Sequence, residues 1–214
     1  MKQSSLSRLP RLVRSIFLPR KTAVLPASTL AGRIASLDAV AKPSVETVLR
    51  QVTDVSGLVA LLRSPEADTA RDAAIELGHT DEAAAVEPLI DVLTNAEGYF
   101  HPVVRAAAAR SLGELRDVRA IDALITATGD TMAEVSEEAT LALGHIGNTR
   151  AMQPLMNIVA NKAGYFLQPV RRAAIISLGE FRDARVLSVL LAVSMNESED
   201  PMVRQAAKDI GARR

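Results

Sequence analysis

A glycine that recurs every 31 to 35 residues constrains the fold of this chain more than any other feature of its sequence. In five short motifs the glycine directly follows a leucine or isoleucine, with spacings of 35, 31, 35 and 32 residues. The five glycines are Gly78, Gly113, Gly144, Gly179 and Gly211. A period of about 20 to 50 residues is typical of proteins built from similar units that each stack on their neighbours. The chain is therefore expected to be a stack of repeats.

Apolar residues at fixed distances from each glycine indicate two helices per unit. Alanine stands five residues before every glycine, and aliphatic residues recur 8, 11 and 12 residues after the first four, which is the spacing of one helix face. The offset of 4 carries a polar residue that suits a helix N-terminus. These polar residues are Glu82, Asp117, Asn148 and Asp183. We predict an all-α superhelix, with the glycine acting as a left-handed cap between the two helices.

The periodicity also predicts how the chain is organised. Residues 44–214 form a solenoid of about five helical-hairpin repeats, and residues 1–43 form a flexible basic segment or linker. Within the solenoid, a degenerate cap at 44–65 precedes the repeats and a half repeat at 198–214 follows them. The repeats lie near 66–98, 99–130, 131–164 and 165–197. We expect the unfinished C-terminal end to present an apolar face to a partner or to a second copy of the chain.

Two stretches, 102–113 and 169–179, resemble the HEAT-like repeat of the phycobilisome-lyase (PBS lyase) type. Each opens with proline, valine and arginine and ends in Ser-Leu-Gly, and the resemblance extends over about residues 66–214. It implies that an arginine opening the first helix and an aspartate opening the second hold adjacent repeats together. The residues at these positions are Arg105, Arg171, Asp117 and Asp183. Ser136 replaces the arginine in the third repeat, so we expect the ladder to be interrupted there.

Two of the junctions between repeats are longer than the others and contain four of the six aromatic residues. Because alternate junctions lie on one edge of a solenoid, both Tyr–Phe pairs would lie on that edge, about 20 Å apart. They are either anchors of a protein-docking edge, plugs between helix pairs, or a mixture with phenylalanine inward and tyrosine outward. The candidate partner-binding residues are Tyr99, Phe100, His101, Tyr165 and Phe166.

No set of residues in the sequence indicates a catalytic, cofactor or metal site. Cysteine is absent, and the sequence has neither a glycine-rich phosphate loop nor a recognisable Ser–His–Asp pattern. HEAT-like di-iron hydroxylases rely on repeated His–Glu pairs, but no histidine here precedes a glutamate. His79 and His145, which share one repeat position, are therefore interpreted as turn residues. We expect no catalytic residue, cofactor or metal.

The formal charge of zero conceals a basic N-terminus, since residues 1–37 contain seven basic residues and no acid. Arg8, Arg11 and Arg14 lie beside an apolar face of a short predicted helix. This segment is a disordered tail, a docking segment for an acidic partner or an anionic membrane surface, or a transit peptide. The remaining chain carries −7 and has no tryptophan, so nucleic acid is not an expected partner, nor is a HEAT-like DNA glycosylase activity.

These observations predict a noncatalytic HEAT-repeat adaptor that holds protein partners. The alternative, implied by the resemblance alone, is a subunit of a phycobilin lyase-like enzyme that attaches a chromophore. No apolar run is long enough to span a membrane. Arginine outnumbers lysine 20 to 5, which suggests a GC-rich bacterial gene and a cytoplasmic protein, or an organellar one if the N-terminus is a transit peptide.

Overall fold

The computed structural model describes residues 54–161 and 164–213, and over these ranges the protein consists of helices and turns without a strand. The ten α-helices are α1 (Val55–Leu61), α2 (Ala67–Gly78), α3 (Val86–Thr94), α4 (Pro102–Leu115), α5 (Ile121–Ala127), α6 (Ala133–Ile146), α7 (Met152–Ala160), α8 (Gln168–Leu178), α9 (Ala184–Met195) and α10 (Pro201–Ala212). Short 3₁₀ turns at Ala83–Ala85, Val118–Ala120 and Thr149–Ala151 lead into α3, α5 and α7. The all-α prediction is confirmed. The segment 1–43 and the first predicted helix of the cap lie outside the described residues.

The helices form two layers. The even-numbered helices from α2 to α10 pack side by side, each against the next. In the second layer, α3 packs on α5 and α7 on α9, while α5 contacts the 3₁₀ turn that precedes α7. This is the arrangement of an α-solenoid, in which each repeat is stabilised mainly by its neighbours. Within the described part of the chain, no helix is both long and apolar enough to cross a membrane.

The repeated glycines are not left-handed caps, contrary to the sequence prediction. Gly78, Gly113 and Gly144 are buried inside first-layer helices and keep helical backbone. A Cβ atom at these positions would lie 2.6 to 2.8 Å from a side chain of the next first-layer helix. Glycine is therefore required for the close approach of neighbouring helices. The left-handed conformation falls three residues later, at Asp81, Arg116 and Gly147.

The alanine positions confirm the register of four repeats and correct the fifth. The alanine five residues before the glycine is completely buried in α2, α4, α6 and α8. In α10, however, Ala207 is buried instead of Ala206, and a Cβ on Gly211 would meet nothing within 4 Å. The last motif is therefore shifted by one residue. Val203, which is buried like Val104 and Val170, gives the correct alignment.

The aliphatic stripe of the second-layer helices is buried until the last repeat. The leucine at offset 11 is fully buried in all four helices, and the residue at offset 8 is buried in the first three. In α9 the residues at offsets 8 and 12 are exposed instead: Leu187 by 47% and Leu191 by 57%. Met195, one turn further on, is 73% exposed. We call Leu187, Leu191 and Met195 the α9 stripe.

Candidate functional site

The two aromatic loops, which follow α3 and α7, have matching backbone conformations. Asn95 and Asn161 end the preceding helices in the left-handed region, with φ of 46° and 40°, and the glycine three residues later has φ of 68° in both loops. The side-chain Oδ1 of each asparagine accepts a hydrogen bond from the backbone N–H of Phe100 or Phe166, at 2.7 and 2.9 Å. Asparagine and glycine adopt these conformations at low cost. The loops are thus held by their own side chains.

The tyrosines of these loops are exposed but fixed. The side chains of Tyr99 and Tyr165 are 55% and 62% exposed, and each ring contacts the following phenylalanine edge-on at 5.3 or 5.2 Å between centroids. Their hydroxyls donate to the backbone carbonyls of Arg63 and Gly129, at 3.0 and 3.1 Å. The phenylalanines are half-buried against the core. Of the three arrangements considered from the sequence, the structure shows the mixed one, with phenylalanine inward and tyrosine outward.

The surroundings of the two tyrosines differ. Nδ1 of His101 accepts the N–H of Val103 at 3.4 Å and so caps α4. The equivalent residue of the second loop is Leu167, which is exposed. An open groove of about 260 Å³ lies beside Tyr165. It is lined by Asp130, Thr131, Ala133, Ser136, Tyr165, Phe166, Leu167 and Val170. Sequence reasoning missed Leu167, although its exposed position follows from aligning the loops.

Arg105 and Arg171 hold adjacent repeats together, but not through the predicted partners. Both are buried and reach forward to the next short junction, where Arg105 pairs with Asp130 and Arg171 with Glu199. Both terminal nitrogens of Arg171 donate to Glu199 at 2.6 Å, and one also donates to the carbonyl of Val159 at 2.8 Å. These hydrogen bonds lower the pKa of Glu199.

Asp117 and Asp183 act within their own repeats instead, which corrects the role that the resemblance implied. Each caps the N-terminus of the helical segment that follows and pairs with an arginine two residues on. Hydrogen bonds from Arg119 lower the pKa of Asp117, and those from Arg185 lower the pKa of Asp183 to about 2. Because both aspartates are largely solvated, these pairs contribute little to stability.

A second arginine series links the repeats on the opposite edge. Arg119 donates to the carbonyl of Ala83 at 2.9 Å and pairs with Glu87 at 3.3 Å, both in the preceding repeat. Arg150 pairs with Asp122 of its preceding repeat at 2.6 Å. Arginine recurs six residues after the glycine in three repeats. This recurrence is the sequence signal that could have revealed the series.

The interruption expected at Ser136 is confirmed. Its buried Oγ donates to the carbonyl of Thr128 at 2.7 Å and does not reach forward to a junction. The histidines lie in turns or at helix ends, as expected, with Nε2 of exposed His79 3.6 Å from a carboxylate oxygen of Glu114. In the described ranges no three histidines or carboxylates are grouped so as to hold a metal. The candidate docking residues Arg8, Arg11 and Arg14 lie outside the described residues.

Family models match most of the repeat region. The model described as HEAT repeats matches residues 96–168, and the model described as PBS lyase HEAT-like repeat matches residues 170–194. No curated protein sequence matches the chain significantly.

The fold is similar to that of a chain in the complex of CpcE and CpcF of phycocyanin lyase from Nostoc sp. PCC7120. The identity is 23% and the TM-score 0.60, and the match covers 76% of this chain and 66% of that one, just under two thirds. Human deoxyhypusine hydroxylase in complex with glycerol matches at 15% identity and a TM-score of 0.41, over 87% of this chain and 99% of that one. An engineered protein matches at 25% identity and 0.49, over 73% and 77%.

Proposed function

We propose that this chain, a HEAT-repeat protein of the PBS lyase HEAT-like repeat family, is a subunit of a lyase-like assembly that attaches a bilin-type chromophore to a client protein. The observation that supports it is that the repeat type and the fold are both similar to those found in a phycocyanin lyase complex. This similarity favours the lyase-like subunit over the simple adaptor that the sequence predicts. The setting we propose is the bacterial cytoplasm, which is compatible with a cysteine-free, arginine-rich chain.

Within this assembly the chain supplies binding surfaces. We propose that the α9 stripe packs against a second HEAT-like chain. Its first two residues stand at positions that are buried or half-buried in α3, α5 and α7. The stripe therefore continues a surface that neighbouring repeats cover elsewhere in the array. Its three residues are four apart and lie on one face of α9, as an apolar helix contact requires.

The loop edge is the proposed docking surface for the client, through the two Tyr–Phe pairs and His101. A fixed aromatic ring loses little conformational freedom on binding, which favours its use as an anchor. Tyr99 and Tyr165 meet this condition because each hydroxyl is bonded and each ring rests on a phenylalanine. Arg8, Arg11 and Arg14 remain a proposed second docking segment for an acidic surface.

Reconstitution tests the proposed activity. The chain is coexpressed with a bilin, a candidate apoprotein and a candidate second HEAT-like subunit, and visible absorbance that remains on the denatured apoprotein is measured. We expect an adduct that requires both HEAT-like chains. Stable binding of the second subunit and the apoprotein without any adduct would instead support the adaptor.

Substitutions then test each surface. Leu191→Asp should abolish pairing with the second HEAT-like chain, measured by light scattering, whereas Ser188→Asp on another exposed part of α9 should not. Tyr99→Ala and Tyr165→Ala should each weaken client capture, and the double variant should weaken it more, because two linked contacts reinforce each other. Val118→Ala removes an exposed apolar side chain from the opposite edge and is the matched control. A client defect that merely follows loss of folding would contradict the docking edge.

A further inference from the structure

The first turns of α2 and α6 occupy equivalent places 66 residues apart but differ in charge. In α2 the residues are Asp68, Arg71 and Asp72. The equivalent residues of α6 are Glu134, Glu137 and Glu138. The formal charge of the three positions thus changes from −1 to −3. This is the departure from the repeat pattern that also places Ser136 at the arginine position.

In α2 the two aspartates hold one arginine. The guanidinium of Arg71 lies 2.8 Å from a carboxylate oxygen of Asp68 and 2.8 Å from one of Asp72. Hydrogen bonds and the charges of these two carboxylates raise the pKa of Arg71. The first unit therefore shows which cation this backbone geometry accommodates between two carboxylates.

In α6 the same geometry lacks its cation. Within the described ranges, the carboxylates of Glu134, Glu137 and Glu138 have no ion pair or hydrogen bond. Glu138 is half-buried at a position where α4 and α8 have the buried residues Ala107 and Ala173. Burial, together with the neighbouring glutamates, raises the pKa of Glu138, although Arg110 and His145 oppose this. A half-buried, unpaired carboxylate costs stability, and such departures from local rules mark functional positions.

Glu134 and Glu138 border a groove of about 190 Å³ that reaches across α4 to α2. Its apolar lining comes from Ile75, Val103, Ala106 and Ala107. Two arginines complete the lining, but both are already engaged: Arg71 with its aspartates and Arg110 with Glu114 at 3.2 Å. The groove thus combines an apolar floor, suited to an alkyl stem, with two carboxylates free to bind a cation.

We propose that this groove binds an arginine side chain of a partner protein, with its guanidinium between Glu134 and Glu138 as Arg71 lies between Asp68 and Asp72. Small apolar residues around that arginine would fit against the alanines of α4. This site requires neither a bilin nor the loop edge, so it stands or falls independently of the proposed function.

The direct test uses the isolated full-length chain and two synthetic alanine-rich helical peptides at low ionic strength. One peptide carries a central arginine, and the other carries citrulline, which keeps the shape but lacks the charge. Calorimetry should detect binding of the arginine peptide, at least about tenfold tighter than the citrulline peptide. Equal affinities, or no binding of the arginine peptide, would overturn the proposal.

Three variants locate the binding. Glu134→Gln with Glu138→Gln should weaken binding by about tenfold or more, whereas Glu97→Gln, an exposed and unpaired acid on the loop edge, should leave it unchanged. Glu137→Arg should supply the missing cation from within, as Arg71 does in α2, and so abolish peptide binding while raising the melting temperature. Thermal unfolding of all three distinguishes a binding defect from misfolding. Unchanged binding by the double Gln variant would show that the peptide binds elsewhere and would overturn the site.

Discussion

The two 66-residue units of this protein share their internal contacts but differ on their surfaces. Both have the same asparagine-fixed loop, the same tyrosine hydroxyl bond and the same buried arginine. At the surface, the first unit has Glu66, His101 and Arg71 where the second has Met132, Leu167 and Glu137. Internal contacts explain the shared residues, because each one satisfies a hydrogen bond or fills a space. The differing residues are free of these requirements, so binding properties are expected to reside in them.

Removing the buried arginines should produce the largest effect and tests whether the units are built alike. Arg105→Ala and Arg171→Ala each leave a buried carboxylate without its partner, so each should cost about 3–5 kcal/mol. Denaturant unfolding measures the loss, with Arg182→Ala on an exposed side chain as the control. A small effect in one unit only would show that the two ion pairs are not equivalent.

Glycine substitutions test the close approach of first-layer helices. Gly113→Ala and Gly144→Ala should each cost about 1–3 kcal/mol, because the added Cβ would lie 2.8 Å from Ala142 or 2.6 Å from Ser177. Gly211→Ala meets nothing within 4 Å and should be neutral or stabilise by up to about 1 kcal/mol through helix propensity. Equal costs at all three positions would contradict the packing role and the corrected register of α10.

Local spacing explains why much of the fold could be predicted. The offsets of alanine and leucine from each glycine are helix periodicities, so the helices and their buried faces followed from the sequence alone. The role of the glycines did not, because the atoms that a Cβ would meet belong to a helix of the next repeat. For Arg105 and Arg171, the acidic partners lie 25 and 28 residues ahead, at different offsets. Repeat alignment therefore hides them.

The candidate site was predicted in position but not in detail. The recurrence of Tyr-Phe indicated both aromatic loops, since the spacing of the two pairs is a sequence property. Which ring is exposed depends on a carbonyl 36 residues earlier, and such a contact leaves no local pattern. Similarly, the importance of Glu138 emerges only when α6 is compared with the ion pairs of α2.

A smaller effect is expected from the tyrosine hydroxyls. Tyr99→Phe and Tyr165→Phe each remove one hydrogen bond to a backbone carbonyl and should cost about 0.5–1.5 kcal/mol, by similar amounts in the two units. Thermal unfolding of both variants and of their double variant measures this. No loss in either variant would show that the asparagines alone hold the loops.

The smallest effect is a pH dependence that distinguishes α6 from α2. The raised pKa of Glu138 means that its charge destabilises the fold as pH rises from acid through that pKa. Arg71 and Arg110 line the same groove, and Glu134, Glu137 and His145 also act on it. Glu138→Gln should therefore match the wild type in acid and exceed its melting temperature near neutrality. The reverse pH trend would mean that Glu138 has a cationic partner in solution.

Each tyrosine clasp joins one junction to the junction before it, and this limits how a gene for such a protein can lengthen. The donor and acceptor lie 36 residues apart, so one odd and one even repeat must stand together for the clasp to form. Duplicating a single repeat would separate a tyrosine loop from the junction that it needs or place two such loops side by side. Duplicating 66 codons would preserve every clasp and every buried arginine pair. Recombination within this coding sequence is thus expected to yield folded products in steps of two repeats.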